Sequence, residues 1–255
     1  MIRQHLLEKG VGASRSFRWR GGEITRFEGF TDAVFAFAVT LLVVSLEVPK
    51  TFDDLMVIMH GFLTFAICFT LLMTIWYEQY IFFRRYGLQD SYTIFLNAVL
   101  VFVTLFYVYP LKFMFSLLVN QIMGGGVPHH LVGDVLVPAI RAEQVPTLFI
   151  VFGAGYVAVF GVFALMFYHA YRKSATLELN KLEILDTRER IHTAIINICV
   201  GVISMALAHF GGPRFSRFAG MVYAVLIPVL ITSQKTLTGR RRRRLEEAMD
   251  AAGES

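Results

Sequence analysis

Long apolar runs without a charge set the rhythm of this chain. They occupy Leu55 to Tyr77, Ser91 to Leu111, Val145 to Tyr171, Ile191 to Pro213 and Phe218 to Gln234, each close to the roughly 20 residues an α-helix needs to cross a bilayer. Ahead of them lies Arg26 to Leu46, RFEGFTDAVFAFAVTLLVVSL, whose strictly uncharged part begins only at Ala33 and which reaches spanning length by including Glu28 and Asp32. Counting this segment, the pattern predicts an all-α membrane protein with six transmembrane helices per chain.

The connections between these runs are short, except for Asn120 to Gln144. Gly124 to Gly126, Pro128 and Pro138 make that stretch read as an irregular external loop with a short helix. The link from Arg172 to Arg190 sets Leu177, Leu179, Leu182 and Leu185 among charges, which suits a continuation of the fourth helix or a segment lying along the interface. No second copy of the first helix's charged apolar pattern follows Val145. The chain therefore divides into a basic amino-terminal segment at 1–25, one six-helix unit at 26–234 and a basic tail at 235–255.

Composition agrees with the membrane class: 56% of residues are hydrophobic, 17% are charged and the mean hydropathy is +0.58, whereas soluble domains are about a quarter charged. Short loops rich in lysine and arginine stay on the cytoplasmic side. Placing the amino terminus inside collects there Arg3, Lys9, Arg15, Arg18, Arg20, Arg26, Arg84, Arg85, Arg172, Lys173, Lys181, Arg188, Arg190, Lys235 and Arg240 to Arg244. Only Lys50, Lys112, Arg141, Arg214 and Arg217 remain outside. Both termini are expected to be cytoplasmic, in a multi-pass protein of a bacterial plasma membrane. The net charge of +5 then reflects topology and no nucleic-acid partner. The pentad Arg240 to Arg244, beside a membrane helix, reads as attraction to anionic lipid.

Convergent chemistry is sparse. Cys68 and Cys199 both fall inside predicted spans, where apolar surroundings favour an inert thiol. His129 and His130 sit in the glycine-rich loop without cysteine or carboxylates at metal spacing. Gly153, Gly155 and Gly161 match no phosphate loop and suit close helix packing. No enzyme, metal site or cofactor is expected. Attention therefore falls on Asp32, because an unpaired carboxylate in hydrocarbon is costly and belongs in a packed polar network or a water-lined path. Its plainer reading is a helix-capping residue at the interface.

Arg26, then Phe30, Thr31 and Asp32, closely follow a motif in which an arginine and three intervening residues are followed by Phe-Ser-Asp, with threonine keeping the serine hydroxyl. The continuation AVFAFAVTLLVVSLEVP, Trp76 late in the second helix, Asn97 early in the third and Pro110 at its end complete the pattern. On these residues the chain resembles the lysosomal/endosomal potassium channels of the transmembrane protein 175 type, in particular their single-repeat bacterial homologues.

That resemblance implies a potassium-permeable cation channel, with potassium as the permeant ion, assembled as a homotetramer around its first helices. It also implies no reentrant selectivity-filter loop, and no TVGYG-like segment is present. By position the lining would be Phe37, Leu41 and Val44, with Thr40 in the adjacent layer. Arg26, Phe30, Thr31, Asp32, Trp76 and Asn97 would organise the pore helix without touching the ion. The i, i+4, i+7 spacing of Phe37, Leu41 and Val44 independently makes one helical stripe, as either a lining face or a packing face requires. Arg26 and Asp32 are six positions apart on a helix and do not face each other, so their partners lie on other helices or chains, with Trp76 a neighbour.

Phe37 stands where relatives carry isoleucine or leucine, and a ring of four phenylalanines could seal the axis. After Trp76 this chain reads Tyr77, Glu78, Gln79 and Tyr80 where relatives tend to have histidines. Glu78 could accept from Arg26 or from the Arg84 and Arg85 cluster. Two other classes compete: an ion- or proton-coupled secondary transporter using Asp32 and Glu78, and a membrane scaffold with Phe37 as a permanent plug. The transporter's usual paired helix breaks and internal repeat are missing.

Overall fold

The computed structural model describes residues 17–22, 24–44, 50–124, 126–132 and 135–212, together with positions 220, 223 and 239. Helix α1 is Arg26–Val44. It starts at Thr25, whose hydroxyl oxygen accepts the Glu28 N–H at 3.1 Å and whose O–H lies 3.2 Å from the Glu28 carboxylate, a cap worth about 1 kcal/mol. The short α2, Phe52–His60, and α3, Phe62–Tyr86, are separated by Gly61. Gly87 ends α3 in the left-handed region, at φ 59°, and its N–H closes onto the Phe83 carbonyl. Helix α4, Ser91–Ile122, is capped by the Asp90 carboxylate and runs on through Pro110.

An antiparallel hairpin follows, β1 His129–Val132 with β2 Val135–Pro138, in a register that sets His129 opposite Pro138 and Val132 opposite Val135. Helix α5 is Val145–Arg172, with proline in its first turn, and α6 is Lys181–Gly212. Asn180 caps α6, because its side-chain oxygen accepts the Glu183 N–H while the Glu183 carboxylate accepts the Asn180 N–H.

The expectation of six transmembrane helices is corrected. Among the described residues, four helices are long and apolar enough to cross a membrane: α3, α4, α5 with the turn before it, and α6. Helix α1 carries Arg26, Glu28 and Asp32 within 19 residues and is not one of these four. The run Phe218 to Gln234, which the sequence suggested as the last span, lies outside the described residues, as does Arg240 to Arg244.

Boundaries move for identifiable reasons. The run beginning at Leu55 is broken by Gly61, and α3 then continues through Glu78, Arg84 and Arg85, where long side chains reach the bundle end. Helix α4 passes Lys112, whose ammonium donates to the Leu42 carbonyl at 2.7 Å. The leucines of the 172–190 link are split between a turn and the start of α6. The stretch expected to be irregular holds the hairpin as well as a single turn of 3-10 helix, Ala142–Gln144.

Two buried clusters organise the bundle. One, at the end rich in arginine, gathers Phe82, Tyr86, Leu100, Phe163, Met166 and Phe167. The other joins α1 to α3, α4 and α5 through Phe35, Leu42, Leu72, Tyr107 and Phe152. Within lipid, helix association depends on close packing more than on hydrophobic exclusion. Gly155 provides such an approach, since a Cβ there would lie 2.1 Å from the Tyr107 ring. Gly161 meets nothing within 4 Å.

Candidate functional site

Helix α1 has two opposed faces. Thr31, Phe35, Ala38 and Leu42, spaced by four, three and four residues, are buried, as one side of an α-helix must be when it packs on a neighbour. The opposite side, Gly29, Phe30, Ala33, Ala36, Phe37, Thr40 and Val43, is exposed within the single chain. A helix this apolar that leaves a continuous side uncovered has that side free for other copies, for lipid or for a water-filled path.

Polar contacts hold the buried side at several heights. The Thr31 hydroxyl donates to the Phe27 carbonyl at 3.0 Å and accepts the Asn97 amide N–H at 2.8 Å, while the Asn97 carbonyl oxygen accepts Gln79 Nε2 at 3.1 Å. All three side chains are buried, so each hydrogen bond offsets a desolvation cost that water does not relieve. One residue on, the Trp76 indole N–H donates to Asp32 Oδ1 at 2.8 Å. Farther along, the Lys112 ammonium meets the Leu42 carbonyl, in the last turn of α1, where a cation suits the helix dipole.

The residues singled out from the sequence thus separate into groups. Thr31 with Asn97, and Asp32 with Trp76, are brought together. Arg26 and Phe30 lie on the exposed side, where Asp32 is exposed as well. Phe37 is 56% exposed, and Thr40 is exposed one turn beyond it. The Thr40 hydroxyl donates its proton to the Ala36 carbonyl at 3.0 Å. Its oxygen lone pairs are thereby left for a donor or a cation. Leu41 is half-buried and packs against the second cluster, at the flank of the exposed face. The Val44 side chain lies outside the described residues.

Several contributors were not anticipated. Gln79 extends the Thr31–Asn97 chain, and its only sequence signal is a neutral polar residue within an apolar helix. Lys112 was read solely as an external charge. Thr25 and Glu28 have the threonine-x-x-glutamate spacing of an N-terminal cap. Glu78 forms an ion pair with Arg190 on α6, a partner the sequence does not indicate.

Between α1 and α3 lies a cavity of about 280 Å³ bordered by Glu28, Asp32, Trp76, Gln79, Tyr80 and Arg84. The Trp76 and Tyr80 rings stack along it, 5.7 Å apart. Among the described residues no three of histidine, cysteine, aspartate and glutamate converge as metal ligands.

Comparison with known proteins converges on one group. The family model for the endosomal/lysosomal potassium channel TMEM175 matches residues 26–107, from the first residue of α1 into α4. A potassium channel of Marivirga tractuosa is 38% identical over 250 residues, 95% of this chain and 99% of its own length. The crystal structure of a threonine-to-alanine variant of the potassium channel MtTMEM175, bound to a nanobody–MBP fusion, superposes with a TM-score of 0.77 at 37% identity, covering 90% of this chain and 100% of that one. A lysosomal potassium-selective channel TMEM175 homologue from Chamaesiphon minutus shares the fold at a TM-score of 0.51 and 19% identity, over 81% of this chain and 96% of its own.

Proposed function

The chain belongs to the endosomal/lysosomal potassium channel TMEM175 family, and on that premise we propose that it is a passive potassium channel whose pore is lined by the exposed face of α1. The observation that carries this reading is the division of α1: its polar anchor Thr31 is spent inward on Asn97 and the exposed Asp32 is held by Trp76 of α3, while Phe37 and Thr40 face away from the chain's own core. Four copies arranged about one axis would turn that face into a continuous lining. Phe37 is assigned the hydrophobic constriction, Thr40 the hydroxyl layer, and Leu41 and Val44 the edge of the lining.

Conduction needs no covalent chemistry. A ring of phenylalanines narrows the path and excludes water, closing it by dewetting. When the ring widens, four Thr40 oxygens, their protons already donated along the helix, replace part of the ion's hydration shell. Such a ring favours the ion that loses its water more readily, and potassium is held less tightly by water than sodium. Coupled transport is disfavoured because Asp32 is engaged by Trp76 and no internal repeat supplies two rocking halves.

The protein is a multi-pass membrane protein. In the orientation we propose, the end bearing Arg18, Arg20, Arg84, Arg85, Lys173 and Arg190 faces the cytoplasm of a bacterial cell, with the channel unit at 26–234 and Arg240 to Arg244 held near anionic lipid. No cofactor takes part in this scheme.

The test is potassium efflux from liposomes containing the purified protein, with sodium-loaded vesicles in parallel. Potassium flux exceeding sodium flux, dissipating with the gradient alone, is expected. Flux that requires a counter-ion would replace the channel with a coupled transporter.

A further inference from the structure

The stretch before α1, residues 17–22, is strapped across the arginine-rich end of the bundle. Phe17 is 2% exposed; its ring meets Tyr86 edge-on at 5.5 Å and lies beneath the Arg85 guanidinium at 4.6 Å. Arg20 then reaches across to the start of α6. Its Nη2 and Nη1 contact the two carboxylate oxygens of Glu183 at 2.6 and 3.0 Å, and its remaining N–H groups donate to the carbonyls of Arg18, Leu177 and Glu178. All five guanidinium donors are thus used.

Glu183 is equally saturated. Each of its oxygens accepts one bond from Arg20 and one from a backbone N–H, that of Arg18 at 2.7 Å or that of Asn180 at 3.1 Å, and the residue is wholly buried. Glu178, whose carbonyl Arg20 holds, sits at φ 49°, a left-handed conformation that non-glycine residues rarely adopt. The next residue locks onto α3. The Arg20 and Gly21 N–H groups donate to the Arg84 carbonyl at 3.1 Å, and the Arg84 guanidinium returns to the carbonyls of Gly21 and Gly22. A Cβ at Gly21 would stand 2.4 Å from the Phe83 carbonyl oxygen, so only glycine fits.

This clasp ends a few residues before Thr25, the cap of α1. Among the described residues α1 is buried on one side only, and the strap, fixed to α3 and to the start of α6, leads directly into its first turn. We propose that Arg20 and Glu183 form a latch that positions α1 and sets how much of the time the pore conducts, leaving ion choice to the side chains of α1 itself. Both are positioning residues, acting through Gly21 and Thr25 on a helix they do not touch. The inference rests on the channel reading above.

Single-channel recording in planar bilayers, combined with hydrogen exchange across residues 24–36 of the full-length assembled protein, tests it. Arg20→Gln removes the fork. Gly21→Ala lifts the strap from α3 without altering any charge. Both are expected to change open probability about fivefold or more, the usual scale of coupling between distant groups, with unitary potassium current and potassium-to-sodium preference unchanged and exchange raised at the start of α1. Arg20→Lys, which keeps the charge but not the fork, should fall between and serves as the deciding variant if the others do not assemble.

Assembled variants that gate like the wild type, or that lose only channel number, would reduce the latch to a fold staple and overturn the proposal. Altered unitary current or selectivity would overturn it too. A silent wild type would instead remove the channel reading, and exchange at residues 24–36 would then decide alone whether the latch positions α1.

Discussion

The Asn97 amide donates to the Thr31 hydroxyl at 2.8 Å, with both residues wholly inaccessible to solvent. Thr31→Val keeps the shape of the side chain and removes the acceptor, leaving a buried amide N–H without its partner at a cost of about 1–3 kcal/mol. The variant should melt at lower temperature in detergent. Thr31→Val combined with Asn97→Leu should lose less than the sum of the single changes, because the second removes the orphaned donor. Additive losses would mean that the two side chains are not coupled.

Asp32 and Trp76 give a second test. Trp76→Phe retains ring packing against Tyr80, which stacks at 5.7 Å, but removes the N–H that satisfies Asp32. Because Asp32 is exposed in the single chain, this hydrogen bond is worth about 0.5–1.5 kcal/mol. The expected result is a loss of that order in thermal stability of the assembled protein, relieved when Asp32→Asn is added to the Trp76→Phe variant, since a neutral amide is easier to leave unpaired than a carboxylate.

What was legible in the sequence, and what was not, follows from range and charge. Asp32 in an apolar segment signals a partner because an unpaired carboxylate there is costly, and Trp76 is that partner. Thr31 and Asn97 stand out only through family resemblance, as neutral polar residues raise no comparable alarm, and Gln79, which bonds Asn97 from its far side, is silent in the sequence for the same reason. Charge-free runs located the start of α4 and both ends of α5 closely, yet six spans were expected where the described residues carry four long apolar helices, because α1 mixes three charges into its length and the run Phe218 to Gln234 lies outside the described residues. The Arg20–Glu183 pair spans 163 residues. No local pattern joins two such residues, one read as a topology charge and the other as part of a link.

Helix packing at Gly155 is tight enough to forbid a methyl group, since its Cβ would lie 2.1 Å from the Tyr107 ring. Gly155→Ala must therefore push α5 from α4 or turn the ring, at a cost of roughly 1–3 kcal/mol. Gly161→Ala, on the same helix with nothing within 4 Å, should be neutral or slightly stabilising, as alanine is the better helix former. Equal melting temperatures for the two variants would contradict the close approach.

Asp90 caps α4 and receives His169 and Lys173 from the end of α5, each at 2.6 Å. Burial works against its ionised form, but hydrogen bonds from Lys173, Thr93 and His169 outweigh it and hold the carboxyl well below the usual carboxylate range. A depressed folded-state value means that the stabilisation is fully present above the ordinary aspartate pKa, about 4, and is lost as pH falls through the depressed value. Asp90→Asn should therefore melt below the wild type at neutral pH, with the gap narrowing as the medium is acidified below about pH 4. A gap independent of pH would show that the carboxylate charge contributes nothing.

Phe37 offers the most direct test of the constriction. Its ring is 56% exposed in the single chain and packs in neither buried cluster, so Phe37→Ala leaves no internal cavity and should preserve the fold. In an oligomer with these rings about the axis, truncation would widen the narrowest point and admit water, lowering the barrier to ion entry. A drop of about 1.4 kcal/mol corresponds to a tenfold rise in rate, and potassium flux from liposomes should increase by roughly that factor. Sodium should gain more than potassium, because a wetter path demands less dehydration and discriminates less. Thr40→Val then separates the two layers. It keeps the width of the side chain and removes the oxygen, so potassium flux should fall while the oligomer stays intact. Unchanged flux in a well-assembled Phe37→Ala protein would move the constriction elsewhere on α1, and unchanged flux in Thr40→Val would remove the hydroxyl from the conduction path.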